Sequence, residues 1–266
     1  MIDAQHPAVL RARAASRFVD QVLSRDPDAI GAMDLSGTRP DLRQAPSALA
    51  EDPLRGLREL RRREMTRIAI RALGFDAPLQ ETLTDLSALA DACCSGALEQ
   101  SYALLRERHG EPRDAQGERV RPVVLGMGKL GGHELNFSSD IDLIFLHGSE
   151  GVTDGANAIE NERFFVRLAQ ETGRLLSAQT EHGIVFRVDT MLRPFGSAGP
   201  MSISLDAAEE YYQTHGREWE RYAMIKARPI AGDLALGEAF LKRLRPFVYR
   251  RYLDFNAIVS LRDRVL

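Results

Sequence analysis

The sequence predicts an α+β protein, a small mixed β-sheet preceded and followed by helical regions. Three observations carry this expectation. Before about residue 110 and after about residue 204, apolar residues recur at helical spacing. Between these zones, short runs rich in β-branched and large apolar residues end in glycine clusters or charged turns. A single amphipathic helix falls among those runs, giving the order strand, loop, strand, helix, strand. The expected partition is a helical region over 1–110, an α/β core over 111–203 and an incomplete helical region over 204–266.

Taken in order, a first helix is expected through Val9, Phe18, Val19, Val22 and Leu23. A second follows through Leu57, Leu60, Met65, Ile68 and Leu73, and a third from about Thr82 to Arg108. Gly, Pro and Asp residues between Asp26 and Pro53 mark a connector of turns. The second helix carries Arg58, Arg61, Arg62, Arg63, Arg67 and Arg71 against Glu59 and Glu64. Such a run reads as a solvated face, with a surface for a partner or a phosphate as the other reading. Val120 to Leu125, Ile141 to His147 and Ile184 to Val188 are the strand candidates. Glu160 to Gln179 is the amphipathic helix, with Phe164, Phe165, Leu168 and Leu176 on its apolar side. Asp206 and Glu209 read as a capping pair for a helix through Tyr211 and Tyr212, and Arg217 to Arg228 and Leu234 to Tyr249 continue in helical style. The chain stops at Val265–Leu266 inside a helical pattern with no stop signal, which suggests a piece of a longer protein.

Composition narrows the functional classes. Charged residues make up 27% of the chain but the net charge is only −3, so no global field draws it to nucleic acid or to an acidic membrane. The N-terminus has no apolar run of signal-peptide length, and nowhere does an apolar stretch reach the ~18 residues of a membrane span. The two cysteines, Cys93 and Cys94, are adjacent, which disfavours a mutual disulfide; they read as reduced thiols on a helix of a cytoplasmic protein. The six histidines show no HExxH spacing, and Ser138–Ser139 lack a GxSxG elbow, so zinc hydrolysis and serine hydrolysis are set aside. Tyr211, Tyr212, Trp219 and Tyr222 read as helix packing before base stacking.

The chemistry concentrates in Leu125 to His147, LGMGKLGGHELNFSSDIDLIFLH. Asp140 and Asp142 are two apart on a strand candidate and therefore share a face, while Ile141 points to the other side. Two carboxylates side by side repel, and a hard divalent cation, Mg²⁺ or Mn²⁺, relieves that repulsion while also binding phosphate oxygens. Upstream, Gly126, Gly128, Gly131 and Gly132 allow backbone amides close to a phosphate, and Lys129, Ser138 and Ser139 add donors. Gly126, Gly128 and Gly131 also fit a GxGxxG dinucleotide loop, but the downstream acids fit metal chemistry better. Asp189 ends the Ile184 to Val188 run and supplies a third carboxylate for a two-metal site, its duller role being an ion pair with Arg187 or Arg193. Arg187, Arg193, Lys226 and Arg228 are spare cations for phosphate charge.

Two resemblances sharpen this. Leu130-Gly131-Gly132, seven residues, then Asp140-Ile141-Asp142-Leu143 resembles the signature of the polymerase-β-like nucleotidyltransferases, which implies that core fold. GMGKLGGHELNFSSDIDLIF, with RVDTMLRPFGSAGPMSISLDAAEEYYQTHGREWERYAMIKAR downstream, resembles the bacterial bifunctional glutamine synthetase adenylyltransferase/adenylyl-removing enzymes, from about residue 15 to the end. Asn136-Phe137-Ser138-Ser139, Arg193-Pro194-Phe195-Gly196 and Trp219-Glu220-Arg221-Tyr222 resemble the adenylyl-removing half more than the adenylylating half. The resemblance implies Asp140, Asp142 and Asp189 as metal ligands. It implies attack of phosphate on the AMP–tyrosine diester of adenylylated glutamine synthetase, with release of ADP, under control of the uridylylated PII signal protein and of glutamine. One departure stands out: the family's usual Asp-Met-Arg-Leu-Arg-Pro is Asp189-Thr190-Met191-Leu192-Arg193-Pro194 here, which leaves Arg193 as the phosphate-binding candidate. AMP transfer from ATP, or a silent docking fragment, remain the alternative readings.

Overall fold

A computed structural model describes residues 2–37, 42 and 52–249. The chain's expected end within a helix lies outside the described residues, as does part of the expected connector between the first helices. The N-terminal region folds as α1 (Pro7–Ala15), α2 (Arg17–Arg25), a 3₁₀ turn at Pro27–Ala32, α3 (Pro53–Gly74) and the long α4 (Leu79–His109). The first expected helix is thus two helices. Ser16 breaks it, adopting an extended backbone and capping α2 by accepting a hydrogen bond from the Val19 amide.

The sheet follows: β1 (Pro112–Arg113), β2 (Pro122–Gly126), α5 (Gly128–Gly131), β3 (Ile141–His147), β4 (Val152–Thr153), α6 (Asn161–Ser177), β5 (Val188–Asp189) and β6 (Ser202–Ser204). Then come α7 (Leu205–Thr214), α8 (Glu218–Met224), β7 (Arg228–Gly232) and α9 (Leu234–Val248). The main sheet runs β5-β3-β2-β7, with β6 on the same edge of β3 as β5 but farther along, and β1 pairs separately with β4. β2 is antiparallel to β3 and β7, whereas β5 and β6 run parallel to β3.

Alternation along the strands explains the layering. Ile141, Leu143 and Phe145 of β3, with Val124 of β2, face a cluster built with α3, α4 and α6. Ile144 and Leu146, with Val123 and Leu125, face a second cluster built with α7, α8 and α9. Covered on both faces, β3 reads as an almost unbroken apolar run. Val9, Val19, Leu23 and Ile70 form a third cluster that packs α1 and α2 on α3. No helix of the described residues is long and apolar enough to cross a membrane.

Four expectations are corrected. Arg228 to Gly232 is a strand in the sheet, not helix, so the sheet draws on the segment after residue 203. Of Ile184 to Val188, only Val188 joins a ladder; the amides of Val185 and Phe186 are captured by the Leu176 carbonyl at the end of α6. Ser204, not Asp206, caps α7, while Asp206 and Glu209 both pair with Arg243 of α9. The arginine face of α3 is not simply solvated. Arg58 and Arg67 are both only 2% exposed, Arg58 donating to the carbonyls of Leu54, Leu175, Ala178 and Gly183, and Arg67 bridging Glu64 and Asp85 at 2.8 and 2.7 Å.

Candidate active site

The candidate site lies where β2 and β5 meet the start of β3. β3 and β5 run parallel in a register that sets Ile141 beside Val188 and Asp142 directly beside Asp189. Residues opposite each other in a parallel ladder project to the same face, and neighbouring strands are only about 4.8 Å apart. Two carboxylates are therefore held side by side by backbone hydrogen bonds. Asp140 follows the same alternation one step before the strand and is ion-paired with Arg187 of the next segment, both side chains being well exposed. The pairing partner of Arg187 is thus Asp140 rather than Asp189. Asp189 instead accepts a hydrogen bond at Oδ1 from the Met191 amide, 2.7 Å, which turns the chain away from the strand.

Electrostatics follow from this geometry. Burial pushes the Asp142 carboxyl above its ordinary range, and the charges of Asp189 and Asp140 push it the same way, while Lys129 opposes them. Among the described residues no three His, Cys, Asp or Glu side chains converge to metal-binding distance, Asp140 being engaged with Arg187. The donor set nevertheless has the right chemistry for a hard divalent cation: paired carboxylate oxygens whose mutual repulsion a 2+ charge would relieve, in the number Mg²⁺ commonly takes from protein.

The glycines serve two distinct purposes. Gly128 has φ +53°, and a β-carbon there would sit 3.0 Å from Asp142 Oδ2, so only glycine gives both the backbone turn and room for the carboxylate. Gly131 is required by close packing. A β-carbon there would lie 1.9 Å from the Lys226 carbonyl oxygen, so α5 rests directly on the turn between α8 and β7. Gly132 is looser, with the Lys226 side chain at 3.2 Å. Lys129 is exposed, its Nζ 3.5 Å from Ser139 Oγ. That hydroxyl also donates to Asn136 Oδ1 at 2.8 Å, and the Ser138 amide donates to the same oxygen at 3.3 Å, so Asn136 holds the 136–139 turn that leads into β3. The Ser138 side chain is exposed at the rim, its carbonyl 3.5 Å from Arg187.

Thus Gly128, Lys129, Ser139, Asp140, Asp142 and Asp189 are brought together. The other cations are committed elsewhere. Arg193 is 9% exposed and donates to the carbonyls of Thr190, Gly199 and Pro200 at 2.9–3.3 Å and to the Thr190 hydroxyl, clamping the loop after Asp189. Lys226 pairs with Glu134 at 2.6 Å. Arg228 forms a bidentate pair with Asp91 of α4, at 2.8 and 3.1 Å, and donates to the Leu130 carbonyl. The roles of Asn136 and Asp91 had no local signal in the sequence, since each depends on where a distant segment arrives. A cavity of about 770 Å³ between α2 and α3, lined by Phe18, Arg25, Met33 and Leu60 among others, has none of these carboxylates in its wall.

Comparison with known proteins shows the family. Residues 7–243 match the sequence profile of the family described as glutamate-ammonia ligase adenylyltransferase. The chain is 50% identical over 268 residues to the bifunctional glutamine synthetase adenylyltransferase/adenylyl-removing enzyme of Thioalkalivibrio sulfidiphilus, covering 96% of this chain and 28% of that protein. It is 48% identical over 266 residues to the enzyme of the same name from Pseudomonas aeruginosa, covering 95% and 27% respectively. A third relative of that name, from Nitrosococcus oceani, is 52% identical over 209 residues, 78% of this chain and 22% of the relative. The chain therefore spans less than a third of the length of the curated relatives it matches. Matched over most of its length, with the carboxylate strands and the glycine turn inside the matched span, the chain belongs to the glutamate-ammonia ligase adenylyltransferase family.

Proposed function

We propose that this chain removes AMP from adenylylated glutamine synthetase by metal-dependent phosphorolysis, so that the AMP–tyrosine diester and phosphate give ADP and the unmodified enzyme. The observation that carries this reading is the ladder register that holds Asp142 beside Asp189, with Gly128 and Lys129 against them. On a polymerase-β-like core, these residues hold phosphate groups and position them; they supply no covalent nucleophile. The direction rests on Asn136-Phe137-Ser138-Ser139, Arg193-Pro194-Phe195-Gly196 and Trp219-Glu220-Arg221-Tyr222, which are similar to the removing half of such enzymes.

In this reading an oxygen of inorganic phosphate attacks the phosphorus of the diester. The bond from that phosphorus to the tyrosyl oxygen breaks, the new phosphorus–oxygen bond completes ADP, and the tyrosyl oxygen takes up the proton the phosphate brought. Asp140, Asp142 and Asp189 would hold the divalent cation, Mg²⁺ or Mn²⁺, which when bound offsets negative charge gathering on the phosphate oxygens. Lys129 and Ser139 donate to phosphate oxygens at the rim, with Ser138 beside them, and the Gly128 turn keeps the Asp142 carboxylate close to the backbone. The same reading makes adenylylated glutamine synthetase the protein partner, the uridylylated PII signal protein the activator, and the cytoplasm the place of action.

The test is direct. The chain is incubated with adenylylated glutamine synthetase, Mg²⁺ and phosphate, with and without uridylylated PII, and ADP is measured. Phosphate-dependent ADP is expected, falling on the order of a thousandfold in Asp140→Asn and Asp142→Asn. Asp142→Asn should melt no lower than the unaltered chain, because it removes one of two adjacent like charges. Incorporation of AMP from ATP in place of ADP release would overturn the direction, and neither product would leave a docking role.

A further inference from the structure

Outside the carboxylates, the least expected backbone belongs to Phe195. It is one of three described non-glycine residues with positive φ, at +63°, and its side chain is 53% exposed. Bulky residues avoid this conformation, and where the surrounding structure enforces it the cost is usually tied to function. Here the enforcement is visible. On one side the buried Arg193 guanidinium ties the carbonyls of Thr190, Gly199 and Pro200 together. On the other, the Phe195 ring packs against Tyr211, whose hydroxyl donates to the buried Glu220 carboxylate at 2.8 Å. The result presents an aromatic ring to solvent on a fixed base. The Phe195 ring lies 4.4 Å from that of Tyr211, and His215 stacks on Tyr211 at 6.0 Å and 14°.

Position relates this group to the site. Asp142 has the same strand parity as Ile144 and Leu146, which pack against α7, α8 and α9; the carboxylates therefore open on that face of the sheet. α7 starts where β6 ends, and its second half returns to the loop that Asp189 begins, setting Tyr211 against Phe195. An exposed aromatic platform thus stands on the same face as the phosphate-handling residues, separated from Asp189 by five residues of a loop that Arg193 clamps.

Resting on the nucleotidyl-transfer reading above, we infer that Phe195, seated on Tyr211, is a specificity-determining residue that stacks the purine base of the nucleotide. A flat heteroaromatic gains from an exposed ring whatever its substituents. The exposed His215, its Nδ1 engaged with the Thr214 hydroxyl at 2.6 Å, adds a polar edge suited to ring nitrogens and an exocyclic amine. A tyrosyl ring whose oxygen is already esterified has neither, which favours the base as the occupant.

The experiment measures binding of ADP, inorganic pyrophosphate and O-phosphotyrosine to the full chain with Mg²⁺, alongside melting temperature. Phe195→Gly removes the ring but suits the left-handed backbone, so it should melt no lower than the unaltered chain while ADP binding weakens by about fivefold or more, with pyrophosphate unchanged. Phe195→Tyr should retain ADP affinity. Unchanged ADP affinity in Phe195→Gly overturns the inference. So does equal weakening of ADP and pyrophosphate, which would mean that the loop merely positions Asp189, and so does a loss confined to O-phosphotyrosine, which would assign the platform to the acceptor. No binding of ADP by the unaltered chain would overturn the nucleotidyltransferase reading together with this one.

Discussion

Asp142 and Asp189 owe their proximity to a ladder of two residue pairs, and their chemistry follows from that closeness. Their neighbours divide into residues that meet the substrate side and residues that hold the loops. Arg193 is the clearest of the second kind, because its donors are spent on carbonyls of the chain around it. Arg193→Lys keeps the charge but cannot span those acceptors. It should lower the melting temperature, at a cost of about 1–3 kcal/mol, and slow ADP formation. The KM for phosphate should stay where it is; a large rise would instead give Arg193 direct contact with phosphate. The spacing of Asp140 and Asp142 and the need for glycine at Gly128 were legible in the sequence, since strand alternation and tight turns are local properties. Arg187 on Asp140, and Arg193 on its own loop, were not, because a guanidinium's partner is set by whichever chain arrives within its reach.

Among the elements, α3 shows most clearly how charge in a sequence can mislead. Its arginines look like a solvated stripe, yet α3 lies between α1, α4 and the end of α6, so two of them end inside. Arg67 is buried between Glu64 and Asp85, and removing it takes a bridging charge away from both carboxylates. Arg67→Ala should cost about 3–5 kcal/mol in denaturant unfolding, whereas Arg62→Ala, on the exposed side of the same helix, should change stability by less than about 0.5 kcal/mol. The long helices and β3 were readable because their periodicity persists over several turns or alternations. β7 was hidden for an opposite reason: Arg228-Pro229-Ile230-Ala231-Gly232 is short, contains proline, and follows α8 with only Ile225–Ala227 between. Proline is tolerated there because, among the described residues, β7 is the outer strand and pairs with β2 alone.

For the molecule as a whole, the sheet works as a partition with an apolar layer on either side, and acid should attack it through His147. That ring, at the far end of β3, is buried against Phe165 at 4.7 Å and bonded to Ser202 Oγ at 3.1 Å; burial pushes it down to about 4 from 6.5. The unfolded chain therefore binds this proton more readily. The stability due to a neutral His147 is complete above pH 6.5 and is lost as pH falls from there towards 4, about 2–3 kcal/mol by pH 4.5. His147→Gln should lose less stability than the unaltered chain between pH 7 and 4.5 in parallel urea titrations; identical losses would place the acid sensitivity elsewhere. The same partition has one interrupted margin. β5 and β6 share a single edge of β3, and the chain between them, 190–201, leaves the sheet and comes back. Both anchors are fixed by the strand they share, so the excursion is an insert in a socket. Arg193 and the Met191 amide tie its base to Asp189, so it is the outward side chains such as Met191 and Phe195 that a lineage could exchange to retune what lies near the phosphate chemistry while the carboxylates keep their register.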